Sequence, residues 1–368
     1  MRTLHIAAAG PAQDLGEDLS LAPASAAGFY WVSCSRAEFE ARLPALQSLL
    51  QRLSGMPLVD LHVSDLLNSQ LPSNHDYTSL YDLLVFQRLA SAETDSTSAP
   101  PEGLLRGPPV LARIVTQPVG LVVFDQLLLS VHSEDCPVRA HFLERLLSAQ
   151  PTDVRAGLAR RSHNPADLML RLVSHMVDGY LALRRELTRQ LDHWQSALLE
   201  PRTRISNWNA ILDTRLALHQ LDEICDNQRS ALQGWIESME TWPPESAPQS
   251  ARERELLKVR SRDVLEHIER VIHHVRRLEQ SAETAVQMHF SVQSNRANDI
   301  MRTLTTITAV FLPLNLIAAV FGMNFDFIPL VHQQSGFWWA MGGMGLVSMV
   351  LLAYFWRKRF LERLDNDH

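Results

Sequence analysis

Cysteine is scarce in this chain. Cys34, Cys136 and Cys225 are the only three in 368 residues; they lie far apart and no CxxC occurs. That leaves no disulfide framework and no zinc knuckle, and it suits a reducing compartment. Lysine is almost missing, with Lys258 and Lys358 alone, so arginine carries nearly all the positive charge. A basic surplus is missing too. Asp and Glu number 41 against 34 Lys and Arg, a formal charge of −7, and the surplus sits in residues 1–150. Nucleic-acid binding calls for a net cationic surface, so the balance argues against a nucleic-acid partner. No P-loop, HExxH or nucleophile elbow is present, which leaves an enzyme reading without support. Charged residues are 20% and hydrophobic ones 46%, which excludes a disordered chain. Mean hydropathy near zero excludes a protein that is mostly membrane-embedded.

What is present is a membrane signature confined to the C-terminus. The first residues, Met1-Arg2-Thr3-Leu4-His5-Ile6, have no long apolar core, so no signal peptide is expected. Thr303 to Phe325 and Phe327 to Trp356 both lack Asp, Glu, Lys and Arg, with His332 the one titratable group in the second run. Each exceeds the roughly 20 residues that a helix needs to cross hydrocarbon. The reading is a helical hairpin with spans near 303–322 and 336–356. Arg296 and Arg302 precede it, and Arg357, Lys358 and Arg359 follow it, while the loop Gly322 to Ser335 has no Lys or Arg. The positive-inside rule places both termini in the cytoplasm. Trp338, Trp339, Tyr354 and Trp356 fit interfacial belts.

Residues 1–160 mix strand and helix signals. Strands are expected at Gly28–Val32, Leu83–Phe86, Val110–Val115, Gly120–Phe124 and Leu127–Val131, and a helix at Arg36–Leu50. Ser91–Pro109 reads as a loop or insertion. Beyond it the chain turns helical. Asn164-Pro165 opens one helix, with Val173, Met176, Tyr180, Leu183, Leu187, Leu191, Trp194 and Leu198 at three–four spacing; a second carries Trp208 to Ile236. From about Ser250 to Phe321 only Pro313 interrupts, so one helix of roughly 70 residues, on the order of 100 Å long, is expected. The fold class is α+β/α in a membrane protein. It comprises a cytoplasmic α/β domain (1–160), a helical region with a stalk helix (161–302), a two-span transmembrane hairpin (303–356) and a cytoplasmic tail (357–368).

The long helix carries two seams with steps of four and three. One is apolar: Val264, Ile268, Val271, Val275, Leu278, Ala282, Ala285. The other runs Gln280, Thr284, Gln287, Ser291, Ser294, Asn298, Met301, Thr305, Thr308, Leu312, Asn315, Ala319, Gly322. Its Thr305, Thr308 and Asn315 fall at membrane depth, where polar side chains face protein or water. Threonines alone fit helix packing equally well. Continuity through Asn298 and Asn315 favours a wet channel. Two spans cannot enclose a pore, so this reading requires a homo-oligomer in the lipid bilayer.

The string Ser294-Asn295-Arg296, Asn298, Met301, Leu304-Thr305, Phe311-Leu312-Pro313-Leu314, Ile317-Ala318, Gly322-Met323-Asn324-Phe325 and Pro329 resembles the CorA-type divalent-cation (Mg2+) transporters, the two-span Gly-Met-Asn family, which is related to the ZntB-type zinc transporters. The likeness is clear over 250–368. It implies a homopentamer in the bacterial inner membrane, with a cytoplasmic funnel and first spans lining the pore. Gly322, Met323 and Asn324 would form the selecting mouth. Asn298, Met301, Leu304, Thr305, Thr308, Leu312 and Asn315 would line the path, with Met301 and Leu304 as a hydrophobic gate. It also implies regulatory metal sites at Asp65, where Ser64 replaces the first acid of the family's pair, and at Asp263. Asp65 as a helix cap and Asp263 as a solvated stalk residue fit the sequence as well. The cargo implied is Mg2+, with Co2+ or Ni2+ possible, Mg2+ also as regulator, and no organic cofactor.

Two departures keep alternatives open. Asn315 stands where the family has a pore threonine, and the outer loop has Asp326 but no second acid, with Leu330 and Val331 after Pro329. A relative that has become a non-conducting structural or interaction protein would fit these changes. His267, His273, His274, His289 and His332 raise zinc transport as in the ZntB branch, although zinc needs three or four converging ligands and Met323 keeps the motif unaltered.

Overall fold

The computed structural model describes residues 1–7, 12–21, 28–90, 114–148, 164–199, 208–242, 248–323 and 335–357. They fall into two units, Met1–Glu283 and Thr284–His368.

The first unit is built on a seven-stranded sheet. Its strands are β1 (Arg2–Ala7), β2 (Gln13–Gly16), β3 (Gly28–Ser35), β4 (Asn74–Tyr77), β5 (Asp82–Leu89), β6 (Thr116–Val123) and β7 (Leu127–His132), in the order β2-β1-β3-β7-β6-β5-β4. Strands β3, β5, β6 and β7 are buried on both faces, which explains their near-continuous apolar runs. On one face Val32, Cys34, Leu83, Val85, Leu129 and Val131 pack with Phe39, Leu46, Leu49, Leu50, Val63 and Leu66. Those partners come from α1 (Arg36–Ala41), α2 (Leu43–Ser54) and α3 (Asp60–Leu67). Gly120 is required here, because a Cβ on it would strike the Leu66 side chain of α3. The alternate residues point to the other face, which α5 (Pro165–Leu199) and α6 (Trp208–Thr241) cover. There Trp31 donates from Nε1 to Ser130 Oγ at 3.0 Å. A further helix, α4 (Pro137–Leu147), follows β7 and touches α5.

One polar junction fastens helices to sheet. β4 pairs with β5 only as far as Val85, so Gln87 lies past its end. Its N–H donates to Ser73 Oγ (2.9 Å), and its carbonyl accepts from Tyr180 Oη (3.0 Å, α5) and Gln228 Nε2 (2.8 Å, α6). Opposite it sits Pro118, tolerated because β6 pairs with β7 only from Gly120 on, so the missing N–H costs no ladder bond.

Two expectations need correction. The helix expected at Arg36–Leu50 is two helices. α1 starts on a capping box between Ser35 and Glu38 and ends at Arg42, where φ is −110°; Pro44 then pre-sets the first turn of α2, which runs on to Ser54. The strand expected at Val110–Val115 is not found at Ile114 and Val115, which lie just ahead of β6; positions 110–113 and the Ser91–Pro109 segment lie outside the described residues.

The long helix α7 (Pro248–Phe321) is continuous through Pro313. Within the first unit its apolar seam is buried: Val264, Ile268, Val271, Val275, Leu278 and Ala282 are all inside. Polar ties add to it. Trp235 Nε1 donates to Ser261 Oγ (3.2 Å), Thr188 Oγ1 meets His274 Nε2 (2.8 Å), Arg260 pairs with Asp167, and Arg276 pairs with Asp222 (2.9 Å). In the second unit lie the end of α7 and α8 (Gly336–Arg357), the two helices long and apolar enough to cross a membrane.

Candidate functional site

Every residue of the polar seam, from Gln280 through Asn298, Met301, Thr305, Thr308, Leu312 and Asn315 to Gly322, is exposed. Leu304 beside it is also exposed; Met301, Leu304 and Leu312 are 65%, 63% and 68% open. At 3.6 residues per turn these side chains lie within about 60° of the Met301 direction. The covered residues of the same stretch, Thr303, Thr306, Val310, Pro313 and Ile317, lie on the opposite side. The chain therefore leaves uncovered the face that carries Asn315, Thr305 and Thr308 at membrane depth.

The threonines on this face are chemically biased. Thr305 Oγ1 donates to the Met301 carbonyl (2.7 Å) and Thr308 Oγ1 to the Leu304 carbonyl (2.8 Å). With the hydroxyl proton spent inside the helix, each Oγ turns lone pairs outward, the polarity that a cation or its hydration water accepts. Met301 and Leu304 follow one turn earlier and contribute no polar atom of their own beyond a weakly accepting sulfur. At the far end Gly322 N–H bonds the Ala318 carbonyl (2.9 Å) and Met323 N–H the Val320 carbonyl (3.3 Å), so the first two residues of the Gly-Met-Asn motif continue the helix end. A Cβ at Gly322 would press on the Ala318 carbonyl at 3.2 Å. Asn324, Asp326, Pro329, Leu330, Val331 and His332 lie outside the described residues.

The two acidic candidates sit on different elements. Asp65 is half-buried on α3. Asp263 is 65% exposed on α7, and His267 Nε2, one turn on, approaches its Oδ1 at 3.9 Å. That i, i+4 pair was legible in the spacing and was not read from it. Also missed was the buried clamp behind α3. His62 Nδ1 meets Tyr81 Oη (2.8 Å), its Nε2 meets Asp76 Oδ2 (3.1 Å), and Val59 N–H donates to Tyr81 Oη (3.0 Å). Burial alone would push the Asp76 carboxyl up; hydrogen bonds from His62 and the Tyr77 N–H, with the charges of His62 and His75, hold it below the usual range. The signal was a histidine on the apolar face of a short helix. Among the described residues no three His, Cys, Asp or Glu side chains gather as metal ligands. His274 is taken up by Thr188 and His289 meets Gln293 (3.1 Å), so these histidines do not converge.

Comparison with known proteins agrees with this layout. The model of the family described as "CorA-like Mg2+ transporter protein" matches residues 26–359. The chain is 25% identical over 194 residues to the cobalt/magnesium transport protein CorA of Thermotoga maritima, a match covering 53% of this chain and about half (52%) of that relative's length. It is 33% identical over 101 residues to the magnesium transport protein CorA of Haemophilus influenzae, covering 27% and 32% of the two chains. The complete structure of the CorA magnesium transporter from Methanocaldococcus jannaschii superposes with a TM-score of 0.71 at 17% identity, over 98% of this chain and 99% of that one, and so shares the fold. This chain belongs to the CorA-like Mg2+ transporter family, a family of membrane transporters and not of enzymes.

Proposed function

We propose that copies of this chain, five by family resemblance, surround a common axis in the inner membrane and pass hydrated divalent cations, Mg2+ foremost. The observation that carries the reading is the uncovered face of α7, where Thr305, Thr308 and Asn315 are exposed at membrane depth while the opposite face is covered. Hydrocarbon is a poor solvent for an amide. Water and matching faces of other copies suit it, and the face then lines a pore.

Mg2+ is small and sheds water reluctantly. Neutral oxygens from Asn324, Asn315, Thr308 and Thr305 would hydrogen-bond the hydration shell without stripping it. Binding stays weak enough to release, as conduction demands, and rings of Met301 and Leu304 would close the path by dewetting. Asp65 and Asp263 supply carboxylates exposed on the first unit; a Mg2+ ion bridging them between neighbouring copies would favour the closed state. Both termini would then be cytoplasmic.

The test is Mg2+ influx into vesicles of neutral and anionic phospholipid that contain the purified chain, with Asn324→Ala and Asn315→Leu beside it. Flux that either substitution abolishes supports the reading. Wild-type vesicles as tight as empty ones, in a preparation that remains oligomeric, would overturn it in favour of the non-conducting alternative.

A further inference from the structure

β3 and β7 run parallel, in register from Tyr30↔Leu127 to Ser35↔His132, and at their carboxyl ends the chain passes into α1 and α4. Three arginines from three elements meet at this edge. Arg88, 2% exposed, donates to neutral acceptors: the Leu89 carbonyl (3.0 Å), Gln117 Oε1 (2.5 Å), Ser133 Oγ (3.0 Å) and the Asp135 carbonyl (2.5 Å). Arg36 donates to the carbonyl of Pro118, next to Gln117. Arg139 stands in the first turn of α4, a helix that starts without a side-chain cap. None of the three is ion-paired with a carboxylate among the described residues, and the Nε–H of each is buried without a partner. Glu38, the acid that borders the cluster, is engaged by the Met1 ammonium and by the Ser35 N–H (2.8 Å). Positive charge is thus concentrated at one edge of a segment whose overall balance is acidic.

His132 adds an opposite demand. It is 1% exposed, and its Nδ1 lies 2.7 Å from the Ser133 carbonyl. A carbonyl only accepts, so Nδ1 holds the proton and Nε2 presents a lone pair, which is buried with no donor. Burial first, helped by the charges of Arg139 and Arg88 and opposed by the Ser133 bond and Glu38, pushes the imidazole down to about 4, so it is neutral at pH 7. Three cationic donors beside one buried acceptor match an oxyanion that still carries a proton. Hydrogen phosphate and phosphate monoesters have a P–OH group; sulfate at neutral pH has none.

We propose that this edge of the sheet binds a phosphate-class oxyanion, with Arg36, Arg88 and Arg139 facing its oxygens and His132 Nε2 accepting from its P–OH. The half-buried Arg36 and Arg139 are the approach from solvent. Titration calorimetry on the detergent-solubilised full chain at pH 6.5 tests it, with inorganic phosphate, sodium sulfate and glycerol phosphate at equal ionic strength. Phosphate should bind, and sulfate at least about tenfold more weakly, because it leaves the Nε2 acceptor unpaired. Arg139→Gln, on a partly exposed side chain, should weaken phosphate about tenfold or more with the melting profile kept. His132→Leu, if it folds, should erase the preference over sulfate. Tighter binding of glycerol phosphate would identify an ester as the ligand and weaker binding the free ion; both support the site. No phosphate binding at millimolar concentration, equal binding of phosphate and sulfate, or full retention in Arg139→Gln would each overturn it.

Discussion

Trp31 and Trp235 in the first unit are at most 1% exposed, whereas Leu304 and Trp338 in the second are 63% and 74% exposed. The residue types are alike and their surroundings differ. In Met1–Glu283 the chain completes its own core, because strands present two faces and helices close both. In Thr284–His368 two long helices leave most of their apolar surface open, and composition says what completes it. On most of the surface that is hydrocarbon, for which Leu, Phe and Trp are suitable solutes. Along the Asn315 face it is water and other copies. Burial within one chain therefore measures folding in the first unit and assembly in the second.

The largest expected effect lies in the first core. Trp235 stacks edge-on against His75 and Trp242 and hydrogen-bonds Ser261. Trp235→Ala should cost about 3–5 kcal/mol, read as an early melting step of the detergent-solubilised chain by circular dichroism. A loss under about 1 kcal/mol would show that this core is not continuous through α6 and α7.

Next in size is a substitution that should leave melting alone. Asn315→Leu exchanges a polar seam residue for an apolar one on an exposed face. Its effect should appear in Mg2+ flux, a fall of at least tenfold, about 1.4 kcal/mol or more at the barrier. Ile307→Leu, on the flank of the same helix and 50% exposed, should keep flux near wild type. Equal losses in both would mean that the two faces do not differ and the seam is no pore wall.

How much of this could be read beforehand depends on how each segment is stabilised. The apolar seam from Val264 to Ala285 was legible because one helix face buries it entirely, and periodicity records that. The spans were legible because hydrocarbon tolerates so few charges. β4, Asn-His-Asp-Tyr, was not, because it has no apolar run. It is placed by His75 Nε2 on Asp82 Oδ1 (3.0 Å) and by Ser238 Oγ on the same atom (3.0 Å), contacts made across long sequence separations. β1 escaped for a similar reason, since Thr3 is as buried as Leu4 and the alternation fails. The acidic candidates could be named from the chain, but not the clamp of His62, Tyr81 and Asp76 that holds α3, nor the arginine cluster, whose members come from Arg36, Arg88 and Arg139.

A smaller effect separates the units by pH. The folded chain holds His132 at about 4, below the model value of 6.5. Between those values the unfolded chain binds more protons, so stability that is full above pH 6.5 should decline as pH falls towards 4. His132→Leu should flatten melting temperature against pH across that window. The far-ultraviolet signal retained by the membrane helices should not follow the decline. An unchanged pH slope in the variant would assign the acid sensitivity to other groups.

The smallest expected effect mirrors the first. Trp338 touches Phe337 edge-on at 5.7 Å between ring centroids and is otherwise open. With so little of the chain packed on it, Trp338→Ala should shift the melting of the solubilised protein by no more than about 0.5 kcal/mol, the range of a surface change. The same residue type, removed in the same way, would then cost several times more at Trp235 than at Trp338. In liposomes the balance changes, since an interfacial indole anchors helix depth and tilt. Tryptophan-quenching depth of the remaining residues should move there although melting does not. If Trp338→Ala instead melts the detergent-solubilised chain as severely as Trp235→Ala, this residue is packed in the assembly, and the outer end of α8 belongs to a subunit interface and not to lipid.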